Sequence, residues 1–157
     1  MAEENNMELA KKVFDSLCAA LDRRQWRYGK NEERLYVDFG VTGDDIPMKF
    51  VILVDAERQM VRAMSLLPIQ FSEDKRIDGA IVTCVASFGL PDGSFDYDIS
   101  TGEVSFRLTA TYRDSELGDG LFQHMIDCSS FVVDKYNDKF LAVNKGFMSV
   151  QEFIEKE

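Results

Sequence analysis

The most chemically suggestive part of this 157-residue sequence is the stretch GSFDYDISTGEVSFRL at residues 93–108. It places three acidic side chains, Asp96, Asp98 and Glu103, around a turn that contains a glycine. Such a pattern could form a calcium loop, a pair of catalytic carboxylates or only a turn. A calcium loop of the EF-hand type needs glycine at its sixth position and glutamate at its twelfth. Counted from Asp96, these positions hold a threonine and Arg107, so the sequence excludes a calcium loop.

Alternating apolar residues on both sides of the glycine indicate a β-hairpin instead. The two arms bring their apolar residues to one face only if Phe95 lies opposite Phe106 and Tyr97 lies opposite Val104. This register leaves a four-residue loop that ends in Gly102, where a left-handed backbone is easiest.

In the same register Asp98 lies opposite Glu103, close to the tip of the hairpin. Facing carboxylates can have well-separated pKa values, as acid–base catalysis requires. The tip of a two-stranded arm is usually solvated, however, and acidic side chains there more often keep a sheet edge soluble. We therefore interpret this pair as acidic surface rather than as a catalytic site.

The only histidine, His124, precedes Cys128 by four positions, so both side chains share one face of a predicted helix. A cysteine beside a histidine can act as a nucleophile and its base. Catalysis also needs a group that orients the histidine and an oxyanion site, which neighbours on one helix seldom provide. We interpret His124 as a half-exposed histidine beside a core cysteine. Because zinc, nucleotide and hydrolase motifs are absent, we expect no enzyme, no metal and no cofactor.

Composition restricts the partners and the compartment. The formal charge of −10 would repel a nucleic-acid backbone, so we expect no nucleic-acid partner. The N-terminal MAEENN is unlike a signal peptide, and the longest apolar run, at 50–54, is too short to cross a membrane. The three cysteines, Cys18, Cys84 and Cys128, form no CxxC pattern. We expect a cytoplasmic protein without a membrane partner.

The first half of the chain is predicted to form one helix and three strands. The helix spans about residues 6–23, with Asn5 as its N-cap and Glu8 as the capping-box partner. The strands lie in RLYVDFGV, MKFVILVD and QMVRAMSLL, whose short connections favour an antiparallel meander. The apolar stripe of the helix comprises Ala10, Val13, Phe14, Leu17, Cys18 and Leu21.

The second half is predicted to form a helix, the hairpin and two further helices. Ser72 is the predicted N-cap of the second helix, and Gly89 is its left-handed C-cap. The long third helix ends at Gly146, and a break near Asn137 is left open. The short fourth helix begins with a capping box at Ser149. The buried stripe predicted for the second helix comprises Ile77, Ala80, Ile81, Cys84, Val85 and Phe88.

These elements follow the order α-β-β-β-α-β-β-α-α. We predict one α+β domain over residues 1–157, with a five-stranded, mainly antiparallel sheet that carries its helices chiefly on one face.

Four motifs of the sequence resemble the YbjN-like proteins, small bacterial domains labelled as sensory transduction regulators. The motifs are an N-terminal helix, WRY ahead of RLYVDFGV, the SLLPIQFSEDKR exit into a helix, and GSFDYDISTGEVSFRL with its long helix. ASFGLPDGSF departs from the pattern, because many members have an asparagine at the place of residues 86–89. The fold of that family is similar to type III secretion chaperones, small acidic proteins that commonly dimerise and bind an extended partner chain. The resemblance implies a single YbjN-like domain over 1–157 without catalytic residues.

We therefore expect a non-enzymatic regulatory or chaperone-like protein that acts on a protein partner, beginning with a homodimer. The predicted third helix is longer than a small sheet can cover, and the sheet edges are free to accept an extended peptide. Three alternatives stay open: a monomer whose aromatic residues are all core, a small-molecule sensor with an enclosed apolar pocket, and a hydrolase-type enzyme, for which the sequence shows no motif. The interface residues that we predict on the third helix are Phe122, Met125, Phe131, Tyr136 and Phe140, which are types that interfaces favour.

Overall fold

Six strands form one antiparallel sheet in the computed structural model, which describes residues 1–44 and 46–157. The order of the strands in the sheet is β1-β2-β3-β4-β6-β5, and all neighbours are antiparallel. The α+β class and the antiparallel sheet are therefore confirmed. The strands are β1 (Gly29–Asn31), β2 (Tyr36–Thr42), β3 (Pro47–Asp55), β4 (Met60–Gln70), β5 (Ser94–Asp98) and β6 (Glu103–Thr111).

The prediction of five strands was wrong, because β1 has only three residues and is too short to show alternation. It pairs with the first part of β2, where Lys30 lies opposite Val37. The turn between them is closed by Asn31, whose side-chain oxygen accepts hydrogen bonds from the backbone N–H groups of Glu33 and Arg34.

Four helices lie on one face of the sheet, as predicted, and the last of them packs on the two before it. They are α1 (Ala2–Arg23), α2 (Arg76–Phe88), α3 (Asp119–Asn144) and α4 (Val150–Lys156), and a 3-10 turn (Glu73–Lys75) precedes α2. The buried face of the sheet carries the apolar residues of alternate strand positions, which form one core with the helices. The predicted stripe of α1 is fully buried and is confirmed.

Two of the predicted helix caps were wrong, and a third has a different conformation. Helix α1 begins at Ala2, and Asn5 lies inside it, where its N–H donates to the Met1 carbonyl. Ser72 precedes the 3-10 turn instead of α2, and its hydroxyl bonds to the Asp74 carboxylate. Gly89 is the C-cap of α2 as predicted, but its φ of −82° shows that the left-handed conformation was wrong.

The end of α3 and the start of α4 were predicted correctly. Helix α3 continues through Asn137 without a break, and Gly146, with a φ of +78°, follows its end. The N–H groups of Gly146 and Phe147 bond back to carbonyls of the last turn, which is the Schellman arrangement. In α4, Ser149 and Glu152 form the reciprocal capping box.

The face of α2 that packs in the core is opposite to the face that the sequence predicted to be buried. Its buried residues are small or slender, namely Gly79, Val82, Thr83 and Ala86. A Cβ atom added at Gly79 would lie 2.5 Å from the hydroxyl of Tyr97 and 2.8 Å from the ring of Phe71. Because α2 lies so close to these two rings, its large apolar side chains cannot face inward. The predicted buried stripe was therefore wrong.

The hairpin register is confirmed residue by residue. Phe95 pairs with Phe106, Tyr97 with Val104, and the Asp98–Glu103 pair closes the ladder. The loop ends at Gly102, whose φ is +79° and whose carbonyl accepts a hydrogen bond from the backbone N–H of Phe71. The hairpin tip is thereby joined to the segment that enters α2.

We predict that Gly102→Ala destabilises the protein by about 2 kcal/mol or more. A side chain there would have to adopt a left-handed backbone, and its Cβ would overlap the Phe71 backbone. Urea unfolding followed by circular dichroism measures the change. Gly120→Ala is the control, because a Cβ at that position has open space around it. Equal stability of Gly102→Ala and the native protein would contradict the prediction.

Candidate interaction surface

Helix α2 carries a row of apolar side chains that faces solvent. We call Ile77, Ile81, Cys84 and Phe88 the α2 stripe; all four are exposed, and Phe88 is 93% exposed. Their spacing of four, three and four residues places them within one narrow face of the helix. This 4-3-4 spacing is the seam that lets two helices pack knobs into holes. A contiguous row of large exposed apolar side chains often marks an interaction site, whereas apolar residues scattered singly on the surface do not.

The α2 stripe borders a groove of about 590 Å³ between α2, α3 and the C-terminal residue Glu157. Phe88 and Phe131 line it together with Leu90 and Cys128, and Phe131 is 70% exposed. Two exposed phenylalanines from different helices thus lie on one apolar surface that extends the α2 stripe.

Of the five predicted interface residues, four are buried in the structure and one is exposed. Phe122, Met125, Tyr136 and Phe140 are at most 1% exposed and lie in the core. They are not available to a partner in this structure, because α3 crosses the sheet and is flanked by α1, α2 and α4. Phe131, on the outer side of α3, is the one of the five that is exposed in this structure.

The acidic residues of the hairpin are engaged in local structure. Asp96 forms an ion pair with Arg107 on the neighbouring strand, at 2.9 Å between Oδ2 and Nε. Asp98 accepts hydrogen bonds from the hydroxyl and the backbone N–H of Ser100. The side-chain bond and then the backbone bond from Ser100 lower the pKa of Asp98 below its ordinary value. A carboxylate held ionised by the turn is suited to closing the loop and not to donating a proton.

His124 has a partner that the sequence did not indicate. Its Nε2 atom lies 2.9 Å from a carboxylate oxygen of Asp92, in the loop ahead of β5, and both side chains are about half exposed. Asp92 therefore supplies the third group that a Cys–His pair would need. Burial, followed by the negative charge of Asp92, raises the pKa of the Cys128 thiol. A thiol with a raised pKa is less ionised at neutral pH and is therefore a weaker nucleophile, which argues against a catalytic role.

Three further features limit the chemistry of this surface. The cysteines are free, and Cys18 is buried. Within the described ranges 1–44 and 46–157, no cluster of three metal-ligating side chains occurs. No helix in these ranges has both the length and the apolar character that a membrane span requires.

The opposite face of the sheet, which no helix covers, has a second concavity of about 540 Å³. Tyr36, Val51, Leu53 and Met64 form its half-buried floor, and Arg34 and Asp38 lie at its margin. It is open to solvent and does not enclose a ligand.

Solved structures share this fold. A chain from the crystal structure of the ExsC–ExsE complex superposes with a TM-score of 0.58 at 16% identity, covering 83% of this chain and 94% of that one. A chain from the HopA1–SchA chaperone–effector complex superposes with a TM-score of 0.54 at 9% identity, covering 80% and 94%. This chain therefore has a chaperone-like fold. No protein-family model and no curated protein matches the sequence, so the YbjN-like resemblance remains a prediction.

We predict that in the monomeric protein Cys84 reacts with Ellman's reagent at least about tenfold faster than Cys18 or Cys128 at pH 8. Cys84 is exposed, whereas burial raises the pKa of both other thiols. Labelling kinetics with peptide mass mapping measures the order, and Cys84→Ser should remove the fast phase. If Cys128 reacted first, an activated thiol beside His124 would have to be considered again.

Proposed function

We propose that this protein is a non-enzymatic, chaperone-like protein that binds another protein and forms a homodimer through the α2 stripe. The observation that carries the proposal is the outward orientation of Ile77, Ile81, Cys84 and Phe88 on a helix whose opposite face is packed in the core. A folded domain gains nothing internally from this arrangement. The large apolar side chains become useful when a second surface covers them.

A second copy suits the α2 stripe because a two-fold axis brings the same stripe against itself. Ala80 flanks the stripe, and this short side chain permits close approach of two antiparallel helices. Phe131 and the groove beside it enlarge the patch, as stable interfaces require more area than one helix face supplies.

A protein partner that contacts the surface around Phe131 would have a further place for an extended segment at the edge of the sheet. Strand β1 pairs with Tyr36, Val37 and Asp38 of β2, whereas the register leaves Phe39–Thr42 beyond its reach. An extended segment added there would continue the sheet with main-chain hydrogen bonds. One of the chains with this fold comes from a chaperone–effector complex, which supports an effector-like partner.

We predict that Ile81→Asp converts the homodimer to a monomer. An aspartate in the middle of the α2 stripe would bury an unpaired charge in the dimer, whereas the monomer leaves it in water. Light scattering after gel filtration should change from about twice 17.9 kDa to 17.9 kDa. Ile99→Asp is the matched control, since Ile99 is 53% exposed in the hairpin loop. A native mass of 17.9 kDa at all concentrations would exclude the dimer.

A photoreactive phenylalanine analogue at position 131 should capture a protein partner in cells. Phe131 lies exposed beside the groove, so its replacement does not disturb the core. The same analogue at Glu57, an exposed turn residue, is the control. We expect a discrete adduct with a second protein at position 131 and none at position 57. Adducts with this chain alone would support only the homodimer, and no adduct would contradict both interactions.

A second candidate function is a small-molecule sensor of the YbjN-like type, formed by residues 1–157 as one domain. Its ligand would bind in the open concavity on the uncovered sheet face and not in an enclosed pocket, because apolar Val51, Leu53 and Met64 lie there between one cation and one anion, Arg34 and Asp38. Native mass spectrometry of the purified protein tests it. A reproducible bound metabolite would favour the sensor, and its loss in Met64→Asp would locate the site.

A further inference from the structure

Helix α4 packs against α2 and α3, and one buried aromatic residue anchors it. Phe153 is its only buried residue. The ring stacks on Phe140 at 5.9 Å between centroids and lies 6.3 Å from the ring of Tyr136. Every other side chain of α4 is at least partly exposed, and the helix has seven residues. The contact has the form of a short helical ligand in an aromatic site.

A carboxylate completes the attachment one helical turn after the anchor. Glu157 accepts a hydrogen bond from the Tyr136 hydroxyl at 2.6 Å and pairs with the Lys139 ammonium at 3.4 Å. Burial and then the bond to Glu157 raise the pKa of the Tyr136 phenol, which keeps it a donor. The site therefore recognises two features of the helix that binds it: an aromatic ring at position i and an anion at position i+4.

The same site has binding capacity that α4 does not use. Lys135 lies 5.1 Å from the centroid of the Tyr136 ring and takes part in no ion pair among the described residues. It lines the groove of about 590 Å³ that leads from Phe88 and Phe131 to Tyr136 and Glu157. On a chain with a formal charge of −10, two lysines one turn apart form a local cationic spot.

We propose that the aromatic site beneath α4 is a docking site for a helical segment of a partner protein, and that α4 occupies it in the unbound state. The segment would carry an aromatic residue, a carboxylate four residues later and at least one further acidic residue for Lys135. Binding displaces α4 and joins Tyr136 and Phe140 to the exposed Phe88–Phe131 surface. This inference rests on the proposed protein-binding function and gives the chemistry of one partner segment.

The test uses the 157-residue chain and a fluorescein-labelled peptide of residues 148–157, MSVQEFIEKE, as a probe with this chemistry. Phe153→Ala in the chain removes the internal competitor, so the peptide should bind at least about tenfold more tightly than it binds the native chain. Ile154→Ala is the matched control, because Ile154 is apolar, adjacent and 40% exposed. The corresponding Phe→Ala and Glu157→Gln peptides should each bind at least about tenfold more weakly.

Each outcome decides the proposal. No binding of the peptide to folded Phe153→Ala, or equal binding of the Phe→Ala peptide, would overturn it.

If circular dichroism shows that Phe153→Ala is unfolded, Glu157→Gln in the chain is the second variant. It loosens α4 and keeps the anchor, and it should bind the peptide more tightly than the native chain does. A dimer that Phe153→Ala abolishes would assign the site to α4 of a second copy and overturn the partner. Ile81→Asp should leave peptide binding unchanged, which separates this test from that of the α2 stripe.

Discussion

The ring of Phe95 is the contact on which the arrangement of the whole interior depends. It meets Phe106, Tyr136 and Phe140 edge to face, with centroids 5.3, 5.5 and 5.0 Å apart. Each such pair contributes about 0.5–1.5 kcal/mol beyond the burial of its area. Because Phe95 belongs to the hairpin and two of its partners to α3, this cluster fixes the long helix across the strands. The position of α3 in turn determines how closely α2 can approach the sheet and where the ring of Phe153 can pack.

The close packing around this cluster explains why the protein has an apolar surface. Phe71 and Tyr97 form an edge-to-face pair directly under α2, and Gly79 is the point of nearest approach. A helix that lies so near two rings can place only small side chains inward. Its isoleucines and Phe88 are consequently turned to solvent, although they are the residues that a core would ordinarily bury. A constraint inside the fold thus creates the surface that a partner would recognise.

The elements that local patterns determine were predictable from the sequence. The hairpin register follows from alternation, because a shift of one residue would turn Phe95 and Phe106 to opposite faces. Helix α2 was misjudged for a physical reason: its 3.6-residue periodicity shows that two faces differ, but not which of them meets Phe71 and Tyr97. The same limit applies to α3, where the pattern grouped exposed Phe131 with buried Tyr136. The contact of Asp92 with His124 joins residues far apart in sequence, and no motif indicated it.

The position of β4 in the middle of the sheet has a consequence for how the chain reaches this state. Strands β1 to β4 form a meander of local pairs, and β5 and β6 form a hairpin that is also local. Within the sheet the two halves join through the β4–β6 ladder, whose paired residues are about thirty (Gln70 and Glu103) to about fifty (Met60 and Thr111) positions apart in sequence. Closing that loop loses chain entropy before any of the ladder is gained. The meander and the hairpin should consequently form early, and folding should be limited by the step in which β6 finds β4.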